Sequence, residues 1–182
     1  MHLIKAMEVP KEKKIEIQSI IFPRNQVNSE YIEICKENGI SSFRGTEKAW
    51  FYRSERLNDE SLLKRLFRLM DSYMNISGFN IYTYDEVASS YPFNIPSSAF
   101  LRPYNKKLAF LDGWRVKRIK RAMTKAAKEN KIYHLWWHPH NFGSNQDANF
   151  RILEQILSHY SALNKKYGFK SVTMTNLSNQ LL

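Results

Sequence analysis

One stretch of this chain gives the clearest indication of its fold and chemistry, and it reads Tyr133-His134-Leu135-Trp136-Trp137-His138-Pro139-His140-Asn141-Phe142-Gly143. It holds three of the five histidines and two of the four tryptophans. Apolar residues lead into a polar turn that contains proline. This order is typical of a buried strand that brings imidazoles to the rim of a site. The structural alternative is a strand end with aromatic packing and surface histidines.

Side chains alternate along a strand, so His134, Trp136 and His138 are predicted to share one face. Pro139 is expected to bend the chain, so that His140 leaves this line. His138 lies best for a general acid, because an imidazole at a strand end can protonate a leaving amine. The alternative is a histidine that is hydrogen-bonded to the backbone.

The rest of the chain predicts an α/β fold. Parallel strands with helical crossovers are expected because strands and helices alternate. In such folds, sites gather at the carboxyl ends of strands, and Arg24, Arg44 and His138 follow predicted strands. The Ser- and Pro-rich segment 88–104 is predicted to be a long loop. Strands are predicted over 15–22, 40–44, 79–84, 132–138 and 170–174, and helices over 29–38, 59–70, 115–130 and 147–167.

The helix over 115–130 is predicted to be amphipathic. Val116, Ile119 and Met123 belong to its apolar stripe, which is expected to be buried. Its basic residues are assigned to the face that contacts water.

A second motif, Phe22-Pro23-Arg24-Asn25-Gln26, directly follows the first predicted strand. An arginine in this position can clamp a carboxylate or another anionic group with two hydrogen bonds. Asn25 and Gln26 can hold sugar hydroxyls or brace the loop. Arg44-Gly45 repeats the pattern more weakly. The alternative is an arginine that pairs with a structural acid.

Bulk composition limits the class of protein. A chain of 182 residues, 43% of them hydrophobic, predicts a single domain over 1–182. Cys35 is the only cysteine, so one chain holds neither a disulfide framework nor a Cys-based zinc site. No run of about 18 apolar residues is present, which predicts no membrane span. Residues 1–10 lack the apolar core of a signal peptide, which predicts a cytoplasmic location or an export signal outside this chain.

The net charge of +11 favours anionic partners such as nucleic acid. The charges are scattered along the chain, however, and no zinc-finger spacing, aromatic ribonucleoprotein motif or leucine zipper accompanies them. A metal site is not predicted either, because the chain has no HExxH pair and Pro139 makes joint ligation by His138 and His140 awkward.

The two motifs together resemble a known family. The segments Ile20–Asn28 and Phe43–Gly45, with Tyr31 and Gly39-Ile40 between them, look like the middle of polysaccharide deacetylases of the NodB-like type (carbohydrate esterase family 4). The segment His134–Gly143 looks like the strand of the last family motif, and Ser171–Thr175 resembles the final strand. The resemblance covers nearly the whole chain. It implies a distorted (β/α) barrel, here a partial one, and a metal-dependent hydrolase that removes N-acetyl groups from amino sugars.

The resemblance also implies roles for single residues. Arg24 would match the arginine that holds the catalytic base, and His138 the histidine that protonates the departing amine. Trp136 stands where a leucine usually walls the acetyl pocket. The resemblance assigns no role to residues 40–45. On the chemistry of the two motifs alone, Asn25, Arg44 and His140 complete the expected substrate-binding set. Arg24 and His138 are therefore expected to line the same pocket mouth.

One part of the family pattern is not found in these residues. The family carries a Thr-Phe-Asp-Asp-like string and a pair of histidines about four apart, which hold a zinc-like divalent metal; here His2 is the only histidine before His134. The chain is therefore expected to be an N-terminally incomplete portion of the catalytic domain. By itself it is expected to be inactive, unless a companion chain completes the site.

Two alternatives accompany the deacetylase interpretation. The first is a non-catalytic carbohydrate-binding or structural remnant of the same fold, which would bind saccharides without hydrolysis. The second is a basic nucleic-acid-binding domain, whose affinity would fall steeply with salt.

Overall fold

The computed structural model describes residues 16–25, 27–53 and 61–182, without the side chains of Arg24 and Ser29. The chain divides into two compact units. The prediction of a single domain over 1–182 stays a prediction. One unit comprises the chain up to Gly45, Tyr84–Ile95 and Val172–Leu182, and the other comprises Thr46–Thr83 and Pro96–Ser171.

The first unit holds a parallel three-stranded sheet in the order β1-β2-β3. Its strands are β1 (Ser19–Ile20), β2 (Ser42–Phe43) and β3 (Phe93–Asn94). Helix α1 (Ser29–Glu37) makes the crossover from β1 to β2. It begins where the Asn28 side chain accepts a hydrogen bond from the Glu30 N–H at 3.0 Å. A small core lies beside the sheet and consists of Phe22, Cys35, Ile40 and Phe43.

Two further helices belong to this unit, α3 (Tyr84–Ala88) and α6 (Met174–Leu181). The strand predicted over 170–174 is wrong, because residues 168–173 form no strand and α6 begins at Met174. Thr173 favours the helix, since its hydroxyl accepts a hydrogen bond from the Asn176 N–H at 3.1 Å. A side-chain cap of this kind satisfies a donor that a helix start otherwise leaves open.

The second unit is mainly helical around a two-stranded parallel sheet. The strands β4 (Ala99–Phe100) and β5 (Leu135–Trp136) pair with Phe100 opposite Trp136. Helix α4 (Asp112–Lys128) is the crossover between them. The other elements of this unit are α2 (Leu62–Asp71), α5 (Gln146–Tyr167) and the short 3-10 turns η2 (Trp50–Tyr52), η3 (Lys106–Leu111) and η4 (Pro139–Phe142).

Packing of α4 against α5 forms the core of the second unit. Both helices follow the predicted apolar periodicity, and the predictions of these two helices are confirmed. Helix α5 ends at Gly168, whose φ of +68° is the left-handed conformation that glycine adopts most readily. The core cluster comprises Leu101, Val116, Ile119, Met123, Ala127, Phe142, Ile152, Ile156 and Leu163.

The long loop predicted over 88–104 is wrong, because this segment contains both β3 and β4. Each of these strands is two residues long and pairs with a partner that is distant in sequence: β3 with β2 and β4 with β5. Neither leaves a periodic pattern in the sequence. The strand predicted over 79–84 is reduced to one antiparallel bridge between Tyr82 and Ile132.

Parallel strands joined by helical crossovers are therefore present as two separate small sheets. Over the residues that the structure describes, neither sheet closes into a barrel. The partial barrel of the NodB-like type stays a prediction. None of the helices in these ranges combines the length and apolar character that crossing a membrane requires.

Candidate functional site

The histidine-rich stretch ends β5 in the second unit. The backbone of β5 is held by β4, since the Ser98 N–H donates to the His134 carbonyl at 2.9 Å and the Leu101 N–H donates to the Trp136 carbonyl at 2.8 Å. The His134 N–H donates in turn to the Ser98 hydroxyl at 2.9 Å. These hydrogen bonds hold the backbone of β5 in place as far as Trp136. The residues that follow therefore leave the end of an ordered strand.

Four rings form a continuous cluster at this edge, here called the ring cluster: Phe100, Trp136, His138 and His140. The centroids of Phe100 and Trp136 are 4.4 Å apart, and those of Trp136 and His138 are 5.3 Å apart with nearly perpendicular planes. Trp136 and His138 therefore lie on one side of the strand, as side-chain alternation predicts. Trp136 is half-buried, whereas His138 and His140 are exposed.

His140 does not leave the cluster. Pro139 begins the turn η4, and the His140 ring stacks on His138 at 5.1 Å between centroids with 20° between planes. The bend expected at Pro139 is present, but the turn carries His140 back beside His138.

The ring cluster does not fit a metal ion. Ring nitrogens lie in the plane of an imidazole, and the two nearly parallel, stacked rings do not aim their nitrogens at one common point. In the ranges 16–25, 27–53 and 61–182, no group of three or more His, Cys, Asp or Glu side chains could hold a metal.

The second motif lies in the first unit. The backbone of Arg24 lies in the turn η1 (Pro23–Asn25), shortly after β1. The Arg24 side chain and the whole of Gln26 lie outside the described residues, so the roles predicted for them stay predictions. Arg24 and His138 thus follow strands of different sheets in different units. The prediction that they share a pocket mouth stays a prediction.

Asn25 and Arg44 are brought together. The carbonyl oxygen of the Asn25 side chain accepts hydrogen bonds from Nε and Nη2 of Arg44 at 3.1 and 2.9 Å. Arg44 is buried, and Asn25 holds a φ of +54°. Between the two roles foreseen for Asn25, these contacts favour bracing the loop. The predicted substrate contacts of both residues stay predictions.

Gly45 has a local structural reason. A Cβ on this residue would lie 2.1 Å from Oδ1 of Asn94, at the end of the neighbouring strand β3. The ends of β2 and β3 can therefore approach closely only without a side chain at position 45. The Asn94 oxygen is itself buried and has no hydrogen-bond partner in the described structure.

A buried charged network in the second unit leaves no pattern in the sequence. Asp71 is fully buried, and its carboxylate accepts hydrogen bonds from Nη2 of Arg118 at 2.9 Å and from the Tyr52 hydroxyl at 2.8 Å. The Ile76 and Ser77 N–H groups donate to its other oxygen at 2.9 and 2.7 Å. Burial, together with the charge of Asp71, raises the pKa of Tyr52.

Glu47 interacts with this network through charge, since Asp71 and Arg118 both influence its carboxyl group. It is only 4% exposed, and burial raises its pKa to about 7. Hydrogen bonds oppose this increase in pKa, the negative charge of Asp71 adds to it, and the positive charge of Arg118 opposes it. A carboxyl group that titrates near neutral pH is common at functional sites, but structural ion-pair networks produce it as well.

The assignment of all basic residues of α4 to the wet face is wrong for Arg115 and Arg118, which are 1% and 8% exposed. Arg115 donates from Nη1 to the carbonyls of Arg102 and Pro103 and from Nη2 to Asp112 at 2.6 Å. It thereby fixes the segment after β4. The sequence could have indicated that Arg115 and Arg118 are buried, because positions 115, 118, 119 and 122 lie on one face of the helix and two of them are apolar.

Comparison with protein-family models, curated proteins and solved structures gives no match for this chain.

Proposed function

We propose that this chain is a polysaccharide deacetylase-like hydrolase of the NodB-like type, acting on N-acetylated amino sugars, with His138 as the proton donor to the departing amine. One observation carries the proposal. An exposed imidazole stands at the carboxyl end of a strand beside the rings of Trp136 and Phe100.

The chemistry of the ring cluster supports this role. Aromatic faces bind the apolar face of a sugar ring, and Trp136 offers the largest such surface here. An imidazole N–H of His138 within reach of the amide nitrogen can protonate it as the C–N bond breaks. The stacked His140 and the perpendicular Trp136 limit the directions in which His138 can turn.

The ring cluster does not supply the other half of the reaction. The family uses a divalent, zinc-like metal with an aspartate base, and these side chains do not fit that metal. The proposal therefore assigns to this chain the binding of the sugar and the delivery of the proton. Metal ligands would come from a companion chain or a further segment.

Sugar binding tests the first part of the proposal. The chain is expected to bind a pentamer of N-acetylglucosamine, measured by calorimetry. Trp136→Ala is expected to weaken binding by about two- to tenfold, since an aromatic contact contributes roughly 0.5–1.5 kcal/mol. Trp114→Ala is the matched control, because Trp114 is 59% exposed on α4 of the same unit. Absence of binding, or equal losses in both variants, would contradict the proposal.

Acetate release separates the deacetylase from the non-catalytic carbohydrate-binding alternative. The ring cluster also supports that alternative, because aromatic rings can stack on a sugar without a metal. The lone chain with added zinc is expected to release no acetate. When the region carrying the Asp and His motifs is supplied, turnover is expected for the wild type and to fall by about a hundredfold or more for His138→Gln. Sugar binding without acetate release in that complete system would contradict the deacetylase proposal and support the carbohydrate-binding alternative.

A further inference from the structure

A groove runs between α4 and α5 on the surface of the second unit. It consists of two adjoining recesses of about 650 and 430 Å³, which share Lys120 and His159. Both recesses are open to solvent. Neither contains a residue of the ring cluster, so the groove is a separate surface feature.

The lining of this groove, here called the basic groove, is strongly cationic. Two carboxylates face the cations, Glu129 and Glu154, and Glu129 is already engaged by Lys131 at 2.8 Å and Lys125 at 3.7 Å. In the described ranges, no acidic side chain lies within ion-pair distance of Lys120, Lys128 or Arg151. The lining cations are Lys120, Arg121, Lys125, Lys128 and Arg151.

Contacts beneath the groove hold its walls in place. Nε2 of His159 on α5 lies 2.8 Å from the Thr124 hydroxyl and 3.0 Å from the Lys120 carbonyl on α4. Arg121 and Lys125 both lie over the Phe79 ring, at 5.9 and 5.6 Å from its centroid. Binding surfaces that are ordered in advance lose less entropy when a ligand binds.

The cations form a row. Lys120 and Lys128 are eight residues apart on one helix, which corresponds to about 12 Å along the axis. Arg151 faces the row from α5. An elongated array of unpaired positive charges in an open groove suits a chain that repeats its negative charges more than it suits one small anion.

We propose that the basic groove binds a glycan chain that carries repeated anionic groups, carboxylates or sulfates. Lys120, Lys128 and Arg151 pair with these groups by charge-assisted hydrogen bonds. The assignment to a glycan rather than a nucleic acid rests on the proposed function. The anion-binding property rests on the groove alone.

The test measures binding of the whole chain to oligogalacturonate, to a heparin hexasaccharide and to single-stranded DNA of comparable charge. The double variant Lys120→Gln with Arg151→Gln is compared with Lys106→Gln with Lys107→Gln, which removes the same charge from exposed positions on η3. Circular dichroism melting of both variants checks that they are folded.

The first double variant is expected to weaken oligosaccharide binding by about tenfold or more at low salt, with a shallower salt dependence, and the η3 variant by less than about twofold. Preference for the carboxylated or the sulfated oligosaccharide identifies the anionic group. Equal losses in both variants, or tighter binding of DNA than of either oligosaccharide, would overturn the proposal. The Lys120→Gln with Arg151→Gln variant is expected to keep the wild-type affinity for the neutral N-acetylglucosamine pentamer, so failure here is distinguishable from failure at the ring cluster.

Discussion

Asp71 is the residue on which the buried network of the second unit depends most. It is fully buried and satisfies Arg118, Tyr52 and two backbone N–H groups at once. Asp71→Ala leaves the Arg118 guanidinium buried without its anion, and we expect a loss of about 3–5 kcal/mol in the free energy of unfolding. Urea denaturation measures this loss.

Glu129→Gln is the control for this substitution, because Glu129 forms ion pairs at the surface. We expect its urea midpoint to equal that of the wild type. A midpoint for Asp71→Ala that is also unchanged would show that the network does not stabilise the fold.

Glu47 gives the protein a pH dependence of known sign. Its folded-state pKa of about 7 lies above its ordinary value of 4.5, so the folded protein holds the proton more tightly than the unfolded chain. This contribution to stability is fully present below pH 4.5 and is lost as pH rises through about 7. The loss above that range is about 3 kcal/mol as an order of magnitude.

Glu47→Gln is therefore expected to be more stable than the wild type above neutral pH and to show a smaller decrease in stability between the acidic and neutral ranges. Thermal unfolding at a series of pH values measures both effects. Glu33→Gln, an exposed position on α1, is expected to keep the wild-type profile. Parallel profiles for the wild type and Glu47→Gln would show that Glu47 does not titrate in this way.

At the scale of elements, the contact between α4 and α5 is tested by two adjacent residues of one helix. Ile156 is 2% exposed in the core cluster, whereas Leu157 is 52% exposed. We expect Ile156→Ala to lower the free energy of unfolding by about 2–5 kcal/mol, because it leaves a cavity as well as losing apolar burial. Leu157→Ala is expected to change it by at most about 0.5 kcal/mol.

Chemical denaturation of the two variants checks this pair. Similar losses at both positions would mean that the apolar face of α5 is oriented differently from the face that contacts α4. The helix period of the sequence predicted α4 and α5 well, because each presents an apolar stripe over several turns.

For the whole molecule, the net charge of +11 is the observation behind the nucleic-acid alternative, and the dependence of binding on salt tests it. Binding of neutral N-acetylglucosamine oligomers at the ring cluster releases no counterions, so we expect its affinity to change by less than about twofold between roughly 50 and 200 mM salt. Binding of single-stranded DNA by scattered lysines is expected to weaken steeply over the same range. Calorimetric titrations with each ligand at both salt concentrations distinguish sugar binding from nucleic-acid binding. A sugar affinity that falls as steeply with salt as the DNA affinity would contradict the stacking role of Trp136.

Local sequence patterns were enough to predict three features. They are the helices α1, α2, α4 and α5, the placement of Arg44 and His138 after strands, and the alternation that puts Trp136 beside His138. Local periodicity is a short-range property, so the chain carries it without reference to the fold. Long-range contacts instead specify the two-residue strands β3 and β4, the burial of Arg115 and Arg118, and the partners of Asp71. Each of these depends on groups far apart in sequence, because short strands and buried charges are stabilised by partners that no local pattern specifies.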